Sequence, residues 1–309
     1  MTAWVRRIPG WGGDGAVGQR AGGDGAERGG ERVGPLRPGA HGPLGRLRRV
    51  EESGMVVRWL ARGLDQVPDG DAWYSPAEAD RAARMPYAKR RTEFRVSRWA
   101  AKLAIARALG WSVDESGATP ADLEALATIE IRRRPTGAPA PFVAGRPAAL
   151  MISQTDRADW AVCVVSDGTT RSVGCDLELV EPRSAGFVRA YFTVTEQQAV
   201  AAADDADHDL LANLLWSAKE SALKVLETGL RRDTRSVEVA LHEDTSDGWH
   251  RLEVRPEEGG CFPGWWRRSG VFLLSVAASH ELPPPVSFEQ PDALATAVPT
   301  HQWMQLPHG

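Results

Sequence analysis

The sequence predicts an α+β fold flanked by a tail at each end. Three observations lead there. Helix-period segments carry recognisable start and stop residues. β-rich runs are joined by short turns as often as by helices. The two ends of the chain show neither period. Strands and helices alternate only loosely, with hairpins mixed in, which a doubly wound parallel sheet would not show.

Residues 1–54 hold 15 of the 31 glycines and nine arginines, without a helical or strand repeat. A segment of this kind buries too little apolar surface to offset its chain entropy. It is expected to be either a disordered tail or a mis-assigned start ahead of Met55. Ser75-Pro76-Ala77-Glu78 then reads as a helix start, with serine capping, proline in the first turn and glutamate three residues after the cap. A long helix is expected from Lys89 to Leu109, stopped by Gly110. Its Arg91, Arg95, Arg98 and Lys102 recur at spacings of four, three and four, which puts them on one face. That face is either simply solvated or binds an anion.

Ile129 to Ile131 reads as a strand, Gly137-Ala138-Pro139 as a turn, and Trp160–Ser166 and Ser172–Val180 as β-rich runs. Helices follow from Thr193 and from about Asp209 to Thr228, and the last strands lie at 237–242, 252–254 and 271–277. From about Glu281, where Pro283-Pro284-Pro285 opens the stretch, a second disordered tail is expected over 282–309.

Composition narrows the function classes. Hydrophobic residues make up 42% and charged residues 25% of the chain, as in ordinary globular proteins. No apolar run approaches the roughly 20 residues of a membrane span, and no secretory signal follows Arg6 and Arg7. A net charge of −4 argues against nucleic acid as a partner held by a general field. Cys163, Cys175 and Cys261 have neither metal-ligand spacing nor an even-numbered disulfide framework, so a reducing, cytoplasmic setting is expected.

Of 37 basic residues only four are lysines: Lys89, Lys102, Lys219 and Lys224. Lysine is a compact point charge where arginine is a planar fork, so these positions merit inspection. Two lie in Trp216-Ser217-Ala218-Lys219-Glu220-Ser221-Ala222-Leu223-Lys224, where Trp216, Glu220 and Lys224 share one helix face. As a surface pair, Glu220 and Lys224 would contribute only about 0.2–0.5 kcal/mol. In Ser172–Val180, alternation places Val173, Cys175, Leu177 and Leu179 on one side and Gly174, Asp176 and Glu178 on the other. Asp176 and Glu178 are then either ordinary acids on an exposed edge or two ligands about 7 Å apart along the strand that converge on one cation. With Glu220 as a third oxygen ligand and no histidine or cysteine cluster, the set suits a hard cation such as Mg²⁺. Lys224, one turn on, is placed to hold a phosphate.

Gly174-Cys175-Asp176-Leu177-Glu178, followed about 40 residues later by the Trp216–Lys224 segment, resembles the paired signature of the 4′-phosphopantetheinyl transferases. The basic helix, the Gly137-Ala138-Pro139 turn and Phe192-Thr193-Val194-Thr195-Glu196 resemble their longer, Sfp-type subgroup. The resemblance implies two similar α+β halves, 55–170 on the nucleotide side and 171–281 carrying the acidic motifs, related by a pseudo-two-fold with coenzyme A between them. It implies Mg²⁺ on Asp176, Glu178 and Glu220, with Glu220 also the candidate base and Lys224 a phosphate contact. Lys89, Arg90, Arg98, Lys102, Ser153, Gln154 and Lys219 would face coenzyme A. Residues 182–195 would face an acyl or peptidyl carrier protein. A monomer is expected, since two halves in one chain need no dimer. Glu196 carries a second reading, as the capping partner of Thr193.

One departure stands out. The family's Ser-His turn is here Ser153-Gln154-Thr155-Asp156, with no histidine between His41 and His208, so Gln154 or Asp156 takes that place. The implied activity is transfer of phosphopantetheine to a carrier serine with release of 3′,5′-ADP. The alternatives are a homologue that binds coenzyme A or a carrier without turnover, and another Mg²⁺-dependent phosphoryl transferase. The last wants a phosphate-cradling glycine loop that the chain lacks.

Overall fold

The computed structural model describes residues 56–113, 118–168 and 172–300, and all of these lie in one compact unit. The expectations for 1–54 and for the last nine residues fall outside the described residues. The architecture is α+β. Strand β1 (Val57–Gly63) leads into α1 (Pro76–Ala83), α2 (Ala88–Ala108) and α3 (Pro120–Ala127). Next come β2 (Ile129–Arg133), β3 (Pro139–Val143), β4 (Arg146–Pro147), β5 (Leu150–Arg157) and β6 (Trp160–Asp167). The chain continues through β7 (Val173–Leu179), α4 (Ala185–Tyr191), α5 (Val194–Ala202) and α6 (Asp205–Val225). It closes with β8 (Val237–Ser246), β9 (Trp249–Pro256), β10 (Phe262–Ser269), β11 (Phe272–Ala278) and β12 (Val286–Ser287). No helix among the described residues is long and apolar enough to cross a membrane.

Two sheets, ordered β12-β1-β6-β5 and β7-β11-β10-β9-β8, bury one core between them, and β2-β3-β4 form a third. Alternation decides which side chains fill which layer. Val162 and Val164 of β6 join Cys175, Leu177, Leu274 and Val276 in the core between the sheets. Cys163 and Val165 point the other way, onto Trp99, Leu103 and Ile105 of α2. The order β1-α1-α2-β2-β3-β5-β6 is echoed by β7-α5-α6-β8-β9-β10-β11, and β1–β6–β5 adjacency is echoed by β7–β11–β10.

One buried ion pair occurs at equivalent places in both runs. Ser75 caps α1, and Glu78 returns the bond to the Ser75 N–H at 3.1 Å. The same Glu78 carboxylate takes Lys102 Nζ at 2.7 Å and the Ile131 N–H at 3.3 Å. Lys102 spends its other protons on the carbonyls of Leu126 and Ile129. In the second run Thr193 caps α5, and Glu196 accepts the Thr193 N–H at 2.8 Å, Lys219 Nζ at 2.8 Å and the Val239 N–H at 2.9 Å. Lys219 donates to the carbonyls of Thr234 and Val237. Each latch thus ties a short helix, a long helix and a strand together.

The tail expected over 282–309 needs correction as far as residue 300. Leu282 and Leu294 are buried in the inter-sheet core, and Trp265 donates its indole N–H to the Leu282 carbonyl at 3.0 Å. Strand β12 pairs in parallel with β1, and Glu289 bridges Arg62 and Arg107. The segment is held by single anchors with no period, which is why its sequence reads as unstructured.

Removing one member of a buried latch strands the other charge. Lys102→Met and Lys219→Met should each lower unfolding free energy by about 3–5 kcal/mol, read by urea titration.

Candidate active site

Strand β7 lies at the edge of its sheet, and two hydroxyls of β5 satisfy its free N–H groups. Cys175 N–H donates to Ser153 Oγ at 3.0 Å, and Leu177 N–H donates to Thr155 Oγ1 at 3.1 Å. On its other side β7 meets α6 so closely that a Cβ on Gly174 would sit 1.9 Å from the Ser221 carbonyl oxygen. Only glycine fits there, and the contact brings Lys224 to the strand. Lys224 Nζ donates to the Cys175 carbonyl at 2.8 Å and to Asp176 Oδ1 at 3.0 Å.

Every residue of β7 is buried, so Asp176 and Glu178 are not acids on an exposed edge. Asp176 Oδ1 also accepts Thr155 Oγ1 at 3.2 Å, while its Oδ2 is buried without a hydrogen-bond partner. Glu178 accepts Trp216 Nε1–H at 2.9 Å and Arg183 Nη2–H at 3.0 Å, and Arg157 Nε lies 3.3 Å away. Burial, then the negative charge of Asp176, pushes the Glu178 carboxyl from the usual 4.5 up to about 7 against the pull of the two arginines. Glu220, half-buried on α6, is likewise pushed to about 7, by burial first and then by Asp176 and Glu178, with Lys224 opposing. Burial alone would lower Lys224, but Asp176, Cys175 and Glu220 outweigh it and keep the ammonium firmly protonated.

The three expected ligands therefore feel one another's charge, yet they do not close into a ready-made cage. Among the described residues no three His, Cys, Asp or Glu side chains are arranged to hold a metal ion. Asp176 is turned to Lys224 and Glu178 to two arginines and an indole, because buried like charges each seek the nearest opposite charge. The donor chemistry nevertheless fits a hard cation. The set is all oxygen, Asp176 Oδ2 is unpartnered, and the crowding that raises Glu178 and Glu220 is what a divalent ion relieves.

Lys224 also lines a groove of about 660 Å³. Its walls come from the α1–α2 connection, α2, the β2–β3 turn and β5, with Glu227 and Arg231 following α6. Arg90, Arg98, Ser153 and Gln154 line it as expected, although the Ser153 hydroxyl is engaged by β7. Gln154 accepts Arg98 Nη1–H at 3.0 Å and donates to the Ser97 carbonyl. Asp156 lines the groove too, so both candidates for the histidine's place reach it. Its carboxyl, displaced from bulk water by the groove walls and faced by Glu93, is pushed up to about 6 while one side stays open to solvent.

Three expected coenzyme A contacts are not in this groove. Lys102 and Lys219 are fully buried and committed to the two latches, so neither ammonium reaches a ligand. Lys89 lies in an adjoining hollow and pairs with Glu93 at 3.8 Å. Conversely, Arg81, Arg133, Arg231 and the exposed Tyr87 line the groove without having been singled out. Burial, and next to it the positive charge of Arg81 and Arg133, draws Arg98 down to about 10 despite Glu78. Crowded cations of this kind favour an anion between them. In a chain so rich in arginine, no signal marked them in advance.

Residues 172–256, which include Asp176, Glu178, Glu220 and Lys224, match the family model of the 4′-phosphopantetheinyl transferase superfamily. The chain is 27% identical over 133 residues to 4′-phosphopantetheinyl transferase Sfp of Bacillus subtilis (strain 168), covering 43% of this chain and 56% of that protein. It is 27% identical over 121 residues to a further Bacillus subtilis 4′-phosphopantetheinyl transferase, covering 39% of this chain and 51% of that one. The chain thus spans about half the length of these curated relatives. The resemblance read from the sequence holds: this protein is similar to the 4′-phosphopantetheinyl transferases, and within them to the Sfp type.

Two outcomes follow from the packing and the charges. Gly174→Ala should fail to reach the native melting temperature, because the helix or the strand must move to admit the methyl group. Glu178 and Glu220 bind protons more tightly in the folded chain, so their contribution is fully present below their usual 4.5 and is lost as pH rises through about 7. The metal-free melting temperature should fall between about pH 5 and pH 8, less steeply in Glu220→Gln, and calorimetry across pH checks this.

Proposed function

We propose that the protein transfers the 4′-phosphopantetheine group of coenzyme A to a serine of an apo acyl or peptidyl carrier protein, in a Mg²⁺-dependent reaction that releases 3′,5′-ADP. The observation that carries this reading is the junction at Lys224, which lines a basic, nucleotide-sized groove and donates to the buried Asp176, whose charge in turn acts on Glu178 and Glu220. Asp176 and Glu220, with Glu178, would hold the cation, which neutralises charge on the pyrophosphate oxygens.

The chain's own residues do the rest. Glu220 is the assigned acceptor of the carrier serine's proton. The serine oxygen then bonds to the β-phosphorus as the bond from that phosphorus to the bridging oxygen breaks, and 3′,5′-ADP carries away the electron pair. Lys224, held protonated, stabilises a phosphate oxygen. The arginines that line the groove receive the nucleotide's remaining phosphate. The pseudo-two-fold is part of this reading, supported by the repeated strand order and the paired latches. So is a monomer with the carrier protein against residues 182–195.

The test is incubation with coenzyme A, Mg²⁺ and an apo-carrier protein, followed by mass spectrometry of the carrier. Wild type should add phosphopantetheine. Glu220→Gln should lose at least about 100-fold in kcat, the scale of a general base, while remaining folded. Binding of coenzyme A without any mass shift would favour the non-catalytic homologue instead, and a fully active Glu220→Gln would remove the assigned base.

A further inference from the structure

Besides Arg157 on β5, Glu178 is held by two groups that lead to one exposed helix. Arg183, on the connection from β7 to α4, donates Nη2–H to Glu178 Oε2 at 3.0 Å and Nε–H to Asn213 Oδ1 at 2.7 Å. Its guanidinium carbon lies 4.8 Å from the ring centre of Phe187 on α4. That ring meets Trp216 edge-on at 5.0 Å, and Tyr191, also on α4, lies 5.0 Å from the same indole. Trp216 closes the loop by donating to Glu178 Oε1 at 2.9 Å. Both carboxylate oxygens are thus fixed by side chains packed on α4.

Asn213 anchors the arrangement. It is fully buried and donates Nδ2 to the carbonyls of Glu181 and Asp209, which leaves its Oδ1 aimed at Arg183. Helix α4 itself buries none of its residues, so it rests on this aromatic and ionic contact. Only a planar fork holds Glu178 and Asn213 in two fixed directions while stacking on a ring; an ammonium cannot do all three.

We propose that Arg183 is a positioning residue: with Trp216 it sets the aim of Glu178 and couples that carboxylate to α4, so that an acceptor protein seated on α4 aligns the site. The role rests on the transferase reading and on the acceptor approaching residues 182–195. It explains why a buried carboxylate expected to face a cation is clasped by two oriented donors on its protein side.

The experiment measures transfer kinetics and, separately, Mn²⁺ binding by electron paramagnetic resonance with coenzyme A present, on wild type, Arg183→Gln, Arg183→Lys and Phe187→Leu. Arg183→Gln should lower kcat and weaken Mn²⁺ binding each by about 10-fold, the scale for loss of an outer partner of a metal carboxylate. Its KM for the carrier should stay within about twofold, and Arg183→Lys should recover only part of the loss. Phe187→Leu, which keeps an apolar side chain on α4 but removes the ring beside Arg183 and Trp216, should move both readouts in the same direction by less. Unchanged kcat and Mn²⁺ binding in Arg183→Gln would overturn the role, and so would a defect confined to KM for the carrier. A wild type without transfer removes the enzyme reading and the role with it; an active wild type with an unaffected Arg183→Gln removes the role alone.

Discussion

A carboxylate withdrawn from water keeps its charge only beside a fixed opposite charge, and Asp176, 6% exposed, imposes that condition on everything around it. The opposite charge is Lys224, and it reaches Asp176 only because α6 lies against β7 with no side chain between them at Gly174. With α6 on that side of β7, the strand's free edge faces β5, where Ser153 and Thr155 replace the missing ladder partner. One ion pair thus couples a helix, the edge strand of one sheet and the edge strand of the other. All three contribute to the groove lining, through Ser153, Val173 and Lys224, so the ligand-facing and the structural parts of the site share the same contacts.

The two latches solve a related problem. A long helix laid across a sheet needs its register fixed, and apolar contacts alone permit sliding. Lys102 and Lys219 each meet a capping glutamate and two strand-entry carbonyls at a single point. A compact ammonium satisfies three acceptors converging on one position, whereas a guanidinium would spread them apart. The scarcity of lysine in this chain is explained by its geometry. Two lysines are latches, Lys224 joins groove to carboxylates, and Lys89 forms a surface pair with Glu93.

Much of this was legible in the sequence because it obeys local rules. The caps at Ser75 and Thr193, the alternation along 173–179 and the shared helix face of Trp216, Glu220 and Lys224 depend on neighbours within a few residues. The capping reading of Glu196 is the one found, and it carries Lys219 as well. What escaped is set by distant partners. Nothing local distinguishes Lys102, committed to Glu78, from a lysine that faces a ligand. The segment 282–300 holds on through Leu282, Glu289 and Leu294 one at a time, without a period to reveal it. Arg81, Arg133 and Arg231 converge on the groove from three elements far apart in the chain, so spacing could not group them.

The resulting charge layout explains why the carboxylate cluster is left so uncomfortable. Along the groove, burial first and then the charges of Arg81 and Arg133 draw Arg98 down; beyond Lys224, burial first and then Asp176 push Glu178 and Glu220 up to about 7. Partners within the chain answer these charges only in part: Lys224 meets Asp176 Oδ1 and two arginines meet Glu178, while Asp176 Oδ2 stays unpartnered. A polyanion in the groove would satisfy the arginines directly. Near Asp176 it would be repelled unless a cation came with it. The arginines and the carboxylates therefore demand different things of one ligand, and a nucleotide bearing a terminal phosphate and a metal-bound pyrophosphate would meet both demands at once.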